Sequence, residues 1–194
     1  RSQLNRRISL DFATFLSYND GLVTNEPGAP AFSMGPAGPF ISIPLTTQNL
    51  AHARNYGVET FANWQATSRW KVSPGFSVLR GAVTLNPGGQ DIAALRTPGN
   101  SPKHQVEVRS MLNLRRNIEW DTSLKYVAGL TSQDVPGSLR VDIRFGWHIG
   151  EFAEISVSGQ NLGRSRHFEF LDNAGLFQAS QIARSLSARL TWRY

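Results

Sequence analysis

Leu139-Arg140-Val141-Asp142-Ile143-Arg144-Phe145-Gly146-Trp147-His148 is the stretch whose reading decides the fold. Odd positions are apolar; even positions are charged, imidazole or glycine. Successive side chains of an extended strand point to opposite faces, so the run has one apolar and one polar face. The period of two excludes a helix here, because a helix would scatter the same residues around its circumference.

The pattern recurs on both sides. Val106, Val108, Leu112 and Leu114 oppose Gln105, Glu107, Arg109 and Asn113. Ile118, Trp120, Leu124 and Tyr126 oppose Glu119, Asp121, Ser123 and Lys125. Ile155 and Val157 alternate with Glu154, Ser156, Ser158 and Gln160. At the end, Leu186, Ala188, Leu190, Trp192 and Tyr194 alternate with Ser185, Ser187, Arg189, Thr191 and Arg193. Upstream segments follow around Leu10–Tyr18, Tyr56–Trp64 and Trp70–Val78, with Pro74 removing a ladder donor from the last. About eight strands result.

Their connections alternate in length. Short links fall near residues 67–69, 115–117 and 149–151; long polar or Gly/Pro-rich links fall near 19–39, 81–102, 129–137 and 163–183. Short turns on one rim and long loops on the other are expected of an outer-membrane β-barrel, with the chain end on the short-turn, periplasmic side. Trp64, Trp70, Trp120, Trp147, Trp192 and Tyr194 cluster near the short turns, as an interfacial aromatic girdle requires; Tyr18 and Tyr126 mark the other end. Glu107, Arg109, Glu119, Asp121, Lys125, Arg140, Asp142 and Arg144 fall on the opposite face. A watery or plugged lumen accommodates them; a dry core would not. The expected fold is therefore all-β, an antiparallel transmembrane β-barrel.

Composition agrees. Only 18% of the 194 residues are charged, against 40% hydrophobic, a low surface charge for a soluble domain. No run approaches the ~18 consecutive apolar residues of a transmembrane helix. The absence of cysteine excludes disulfides and thiolate metal sites. The net charge of +6 is spread along the chain, with no dense basic run of the kind that binds nucleic acid. It suits an anionic membrane surface. Arg1 opens directly on a strand-like pattern, so the beginning of a longer protein is expected to be missing.

Several motifs, in order, resemble the C-terminal part of a TonB-dependent outer-membrane receptor, over nearly the whole of residues 1–194. Ser9-Leu10-Asp11-Phe12-Ala13-Thr14-Phe15 with Tyr18, Leu22 and Glu26-Pro27-Gly28 is similar to a mid-barrel strand and loop. Asn55-Tyr56-Gly57-Val58-Glu59 resembles a recurrent Gly-Val-Glu strand, and Ser101-Pro102-Lys103-His104 a Pro-x-His strand opening. Gly159-Gln160-Asn161-Leu162 followed by His167-Phe168-Glu169-Phe170 resembles the segment before the last strand. Arg184-Ser185 and Leu190 to Tyr194 resemble the closing strand.

The resemblance implies the last portion of a 22-stranded, plugged barrel. It implies active uptake of a scarce small-molecule ligand, such as an iron–siderophore complex or cobalamin. The energy would come from the TonB complex through an N-terminal part not in this chain. It implies no enzyme activity, cofactor or bound nucleic acid. Leu190, Trp192 and Tyr194 resemble the signal read by the barrel-assembly machinery. The alternative reading is a complete small eight-stranded barrel with a structural or adhesive role.

Binding surfaces generally sit on loops. Tyr18, Asn19, Phe32, Phe40, Arg80, Phe168 and Phe177 are the candidate ligand contacts on loops and upper lumen. The four histidines, 52, 104, 148 and 167, share no ligand spacing; His167, Glu169 and Asp172 read as a hydrogen-bonded loop–strand junction before a metal site. No Gly-x-Ser-x-Gly elbow or phosphate loop occurs. Residues 34–39 read as a plain loop and 85–90 as a turn.

Overall fold

The computed structural model describes residues 1–171 and 178–192. It contains strands β1 (Ser2–Asn5), β2 (Ile8–Pro27), β3 (Ala31–Gly35), β4 (Gly38–Ser42), β5 (Leu45–Thr67), β6 (Trp70–Leu85), β7 (His104–Arg115), β8 (Ile118–Val127), β9 (Ser138–Ile149), β10 (Ala153–Gln160), β11 (Arg166–Phe170), β12 (Ser180–Ala183) and β13 (Ser185–Trp192). Nine form one antiparallel sheet in the order β1-β2-β5-β6-β7-β8-β9-β10-β13. The pairs β3–β4 and β11–β12 are separate hairpins inside the long connections. β1 and β13 are the ends of the order and do not pair with each other among the described residues.

The eight long strands are those expected from the alternation; β1 is an added stub joined to β2 through Arg6-Arg7. Cross-strand rows show the apolar face directly. Phe12, Thr60, Phe76, Val106, Tyr126 and Leu139 are successive partners across six strands. No described residue covers this face. The buried apolar residues among those described are only Ala51, Ala53, Ala128 and Val135, whereas Phe12, Leu16, Leu190 and Trp192 are more than 60% exposed. A soluble protein buries its large side chains; here they line the outside of a single sheet, as a wall in lipid does.

Two expectations need correction. The segment 19–39 is not a loop from its start: β2 continues to Pro27 and β5 begins at Leu45. Alternation stops at Asn19 because a bulge follows, with Gly21 at φ +65°. The ladder needs only backbone groups and continues past it. Residues 34–39, read as a plain loop, are the tip of the β3–β4 hairpin. Pro74 stays inside β6, paired with Val108 of β7. On the β5 side the ladder skips from Phe61–Gly75 to Trp64–Val72, and Ser73 Oγ donates to Asn63 Oδ1 across the gap at 2.9 Å.

Candidate functional site

The inner face of the sheet carries two charged regions, one at each end. At the long-loop end a cavity of about 890 Å³ opens between β2, β5 and β6 and two loops. Phe15, Ser17 and Asn19 of β2, Ala53 and Asn55 of β5, and Leu79, Gly81 and Val83 of β6 form its wall. Its roof is a 3₁₀ helix, Ala94–Asn100, and the β8–β9 loop. The two roof segments are joined: Ser132 N donates to Gly99 O at 3.2 Å, and Ser132 Oγ donates to Arg96 O. Two cations line the cavity, Arg96 and Lys103, and no carboxylate does among the described residues; Arg80 borders it by its backbone, in register with Tyr56 and Leu16 of the outer face. Arg80 Nη1 donates to Lys103 O at 2.8 Å, which holds the guanidinium at the upper end of β7.

The helix is placed by Asp91. Its carboxylate accepts from Asn25 N at 2.8 Å and Ala94 N at 3.1 Å, tying the β6–β7 loop to the far end of the β2 extension. The Asn25 amide, then those of Ala94 and Ala93, hold the carboxyl below its ordinary value. Glu26 repeats the tie, accepting from Gln90 N at 2.5 Å.

At the short-turn end lies an ion network across three strands. Arg144 of β9 donates to Glu119 Oε2 at 2.7 Å and Asp121 Oδ2 at 3.0 Å on β8, and to Glu154 Oε1 at 2.5 Å on β10. His148 Nε2 lies 3.0 Å from Glu119 Oε1. Glu119, His148 and Glu154 approach as a metal triad would. Arg144 already occupies both carboxylates, so the group is a structural clamp. Arg140–Asp142 (2.8 Å) and Arg109–Glu107 pair midway up the wall.

The candidates named from sequence are dispersed. Asn19 lines the cavity, whereas Arg80 borders it only by its backbone, in register with outer-face Tyr56. Tyr18 points to the opposite face of β2, its ring centroid 5.7 Å from that of His52. Phe32 and Phe40 stand exposed on the β3–β4 hairpin. Phe168 lines a smaller cavity of about 290 Å³ with Gln105, Lys125 and Pro136. Leu190 and Trp192 lie on the outer face of β13; Phe177, Asp172 and Tyr194 fall outside the described residues. His167 is buried against Glu169, its Nε2 3.5 Å from Oε1. Arg96 and Lys103 were missed; the signal available was Asp91 three residues before Ala94, a helix-start pattern.

Solved structures match this arrangement along nearly all its length. The ferric-catecholate import receptor Fiu from E. coli K12 superposes with a TM-score of 0.66 at 16% identity, over 97% of this chain and 26% of that one. The fold is that of part of an outer-membrane transporter barrel. The copper transporter OprC gives 0.65 at 12% identity over 97% and 30%, and the ferric yersiniabactin uptake receptor FyuA from Yersinia pestis 0.57 at 16% over 97% and 35%. The chain thus spans about a quarter to a third of the length of these transporters. No protein-family model and no curated protein sequence matches it.

Proposed function

We propose that the chain is the C-terminal barrel portion of a TonB-dependent outer-membrane receptor that takes up a scarce, anionic small-molecule ligand, a metal–siderophore chelate. The observation that carries the cargo is the cavity at the long-loop end, with Arg96 and Lys103 and, among the described residues, no carboxylate in its lining. Such a lining raises the local concentration of anions and draws them inward from the loops. Guanidinium groups also suit the oxygens of an anionic chelate. A cobalamin carries no comparable negative charge and fits this lining less well. Ferric-catecholate and ferric yersiniabactin are cargo of the matched receptors, which supports the same class here. Energy coupling would come from the TonB complex through a part of the protein outside this chain. Assembly would use the β13 strand.

The test is growth on defined ferric chelates as sole iron source, using the full-length protein. Replacing Arg96 and Lys103 together by Gln should abolish growth on anionic chelates while surface expression stays intact. Unchanged growth would sink the cargo assignment. The alternative of a complete small barrel gains no support from the strand order, whose two ends are unpaired among the described residues.

A further inference from the structure

The short turns share a feature that neither the cargo cavity nor the ion clamp uses. The first three are Arg6-Arg7, Ser68-Arg69 and Arg116-Asn117, so four of their six positions are arginine. Arg115, the last residue of β7, adds a fifth. All five are exposed, and none of their guanidinium groups has a hydrogen-bond or ion-pair partner among the described residues. No acid lies on these turns. The fourth short turn has Glu151 and no arginine, so the basic patch covers one part of the rim only.

The turns are fixed relative to one another. Arg7 O accepts from Gln65 N on β5 at 2.7 Å, Arg69 O from Asn113 N on β7 at 2.8 Å, and Asn117 O from His148 N on β9 at 2.9 Å. Each turn is thus bonded to the next hairpin. Neighbouring turns lie two strands apart, about 10 Å. Depth is set by the tryptophans. Trp70 directly follows Arg69, Trp64 lies four residues before Ser68 and Trp120 three after Asn117, all on the outer face. Tryptophan settles at the membrane–water boundary. The arginines therefore stand at headgroup depth, just outside the hydrocarbon.

We propose that these linked turns are a docking rim for anionic phospholipid headgroups of the leaflet on the short-turn side. This rests on the membrane reading above but not on the cargo. Uncompensated like charges held about 10 Å apart repel one another and favour an anion between them. Guanidinium binds phosphate oxygens as a planar fork. A zwitterionic headgroup presents the same phosphate with its own cation attached and neutralises less. The expected ligand is therefore a phosphatidylglycerol-type lipid, bound laterally at β1–β2, β5–β6 and β7–β8.

The test uses the full-length protein in nanodiscs of phosphatidylcholine mixed with phosphatidylglycerol, with retained lipid read by native mass spectrometry. The wild type should retain phosphatidylglycerol several-fold above its bulk share, and added salt should lower that excess. The combined variant Arg6→Gln, Arg7→Gln, Arg69→Gln and Arg116→Gln should fall to the bulk share, whereas Arg164→Gln in a long loop should not. No enrichment in the wild type, or enrichment kept by the rim variant, overturns the proposal. Should the combined variant not insert, Arg116→Gln alone and the salt titration decide: enrichment insensitive to both overturns it. Binding of an acidic peptide to the turns without any lipid preference would also overturn it, in favour of an acidic protein partner. Growth on chelates by the rim variant separates this outcome from the cargo reading, which concerns the opposite rim.

Discussion

Gly57 shows how tightly single positions on the inner wall are constrained. It sits opposite Phe15 across β2–β5, and a Cβ placed there would lie 2.5 Å from Val78 O and 2.6 Å from the Phe15 ring. The ring could turn away; the carbonyl belongs to the β5–β6 ladder and cannot. Gly57→Val should cost about 1–3 kcal/mol, as overpacking of a close-packed site does. Gly75→Ala should cost less, because its nearest neighbour, at 3.1 Å, is the Phe61 side chain. Urea unfolding of both variants in lipid vesicles would rank them; equal midpoints would contradict the account. Asp91 gives a second prediction at this scale. Its carboxyl is held below its ordinary value by the Asn25 amide. The folded value is the lower one, so the stabilisation is complete above the unfolded value of about 4 and is lost as pH falls through the folded value. The protection of the Asn25 amide, its exchange relative to the intrinsic rate at each pH, should fall on acidification in the wild type. In Asp91→Asn that protection should be low already at neutral pH and change little with acid.

At the scale of strands, Arg144 is the clamp of β8, β9 and β10. Arg144→Met would leave Glu119, Asp121 and Glu154 facing one another with no guanidinium between them. Breaking a buried pair costs several kcal/mol, but Arg144 is 32% exposed, so about 1–3 kcal/mol is expected once screening is allowed for. Arg144→Lys should recover only part, because one ammonium cannot reproduce the fork. Urea midpoints at low and high salt check both, with the Met variant suffering most at low salt. These strands also show where sequence reading succeeds. Trp120, Glu119 and Arg144 were assigned to their faces from alternation alone, because lipid and lumen each impose one polarity on every second residue. Alternation carries no register, so the pairing of Asp121 with Arg144 and of His148 with Glu154 was not readable. The extension of β2 beyond Asn19 was hidden for a related reason. The bulges after Asn19 and Leu22 shift the register, so the period breaks although the ladder does not.

For the whole molecule, the same logic explains why the wall was legible and the cavity was not. The wall is a repeated local pattern, whereas the cavity joins β2, β5, β6 and two loops that only the tertiary structure brings together. The wall makes a prediction about the entire protein. All five tryptophans of the chain, Trp64, Trp70, Trp120, Trp147 and Trp192, lie on the outer face within a few residues of short turns. The rings of Trp64 and Trp70 are 6.4 Å apart, and Trp70 and Trp120 donate their indole N–H groups to Ser110 and Thr122. Bulk tryptophan emission of this chain therefore reports one depth rather than an average over the membrane. Reconstituted into vesicles, it should be quenched strongly by lipids brominated near the headgroup and weakly by lipids brominated near the chain ends. A soluble sandwich would bury these rings in a dry core and show no dependence on lipid label at all. Equal quenching by both labels would mean that the tryptophans are spread in depth, and would overturn the alignment of short turns on one rim on which the orientation of the wall rests.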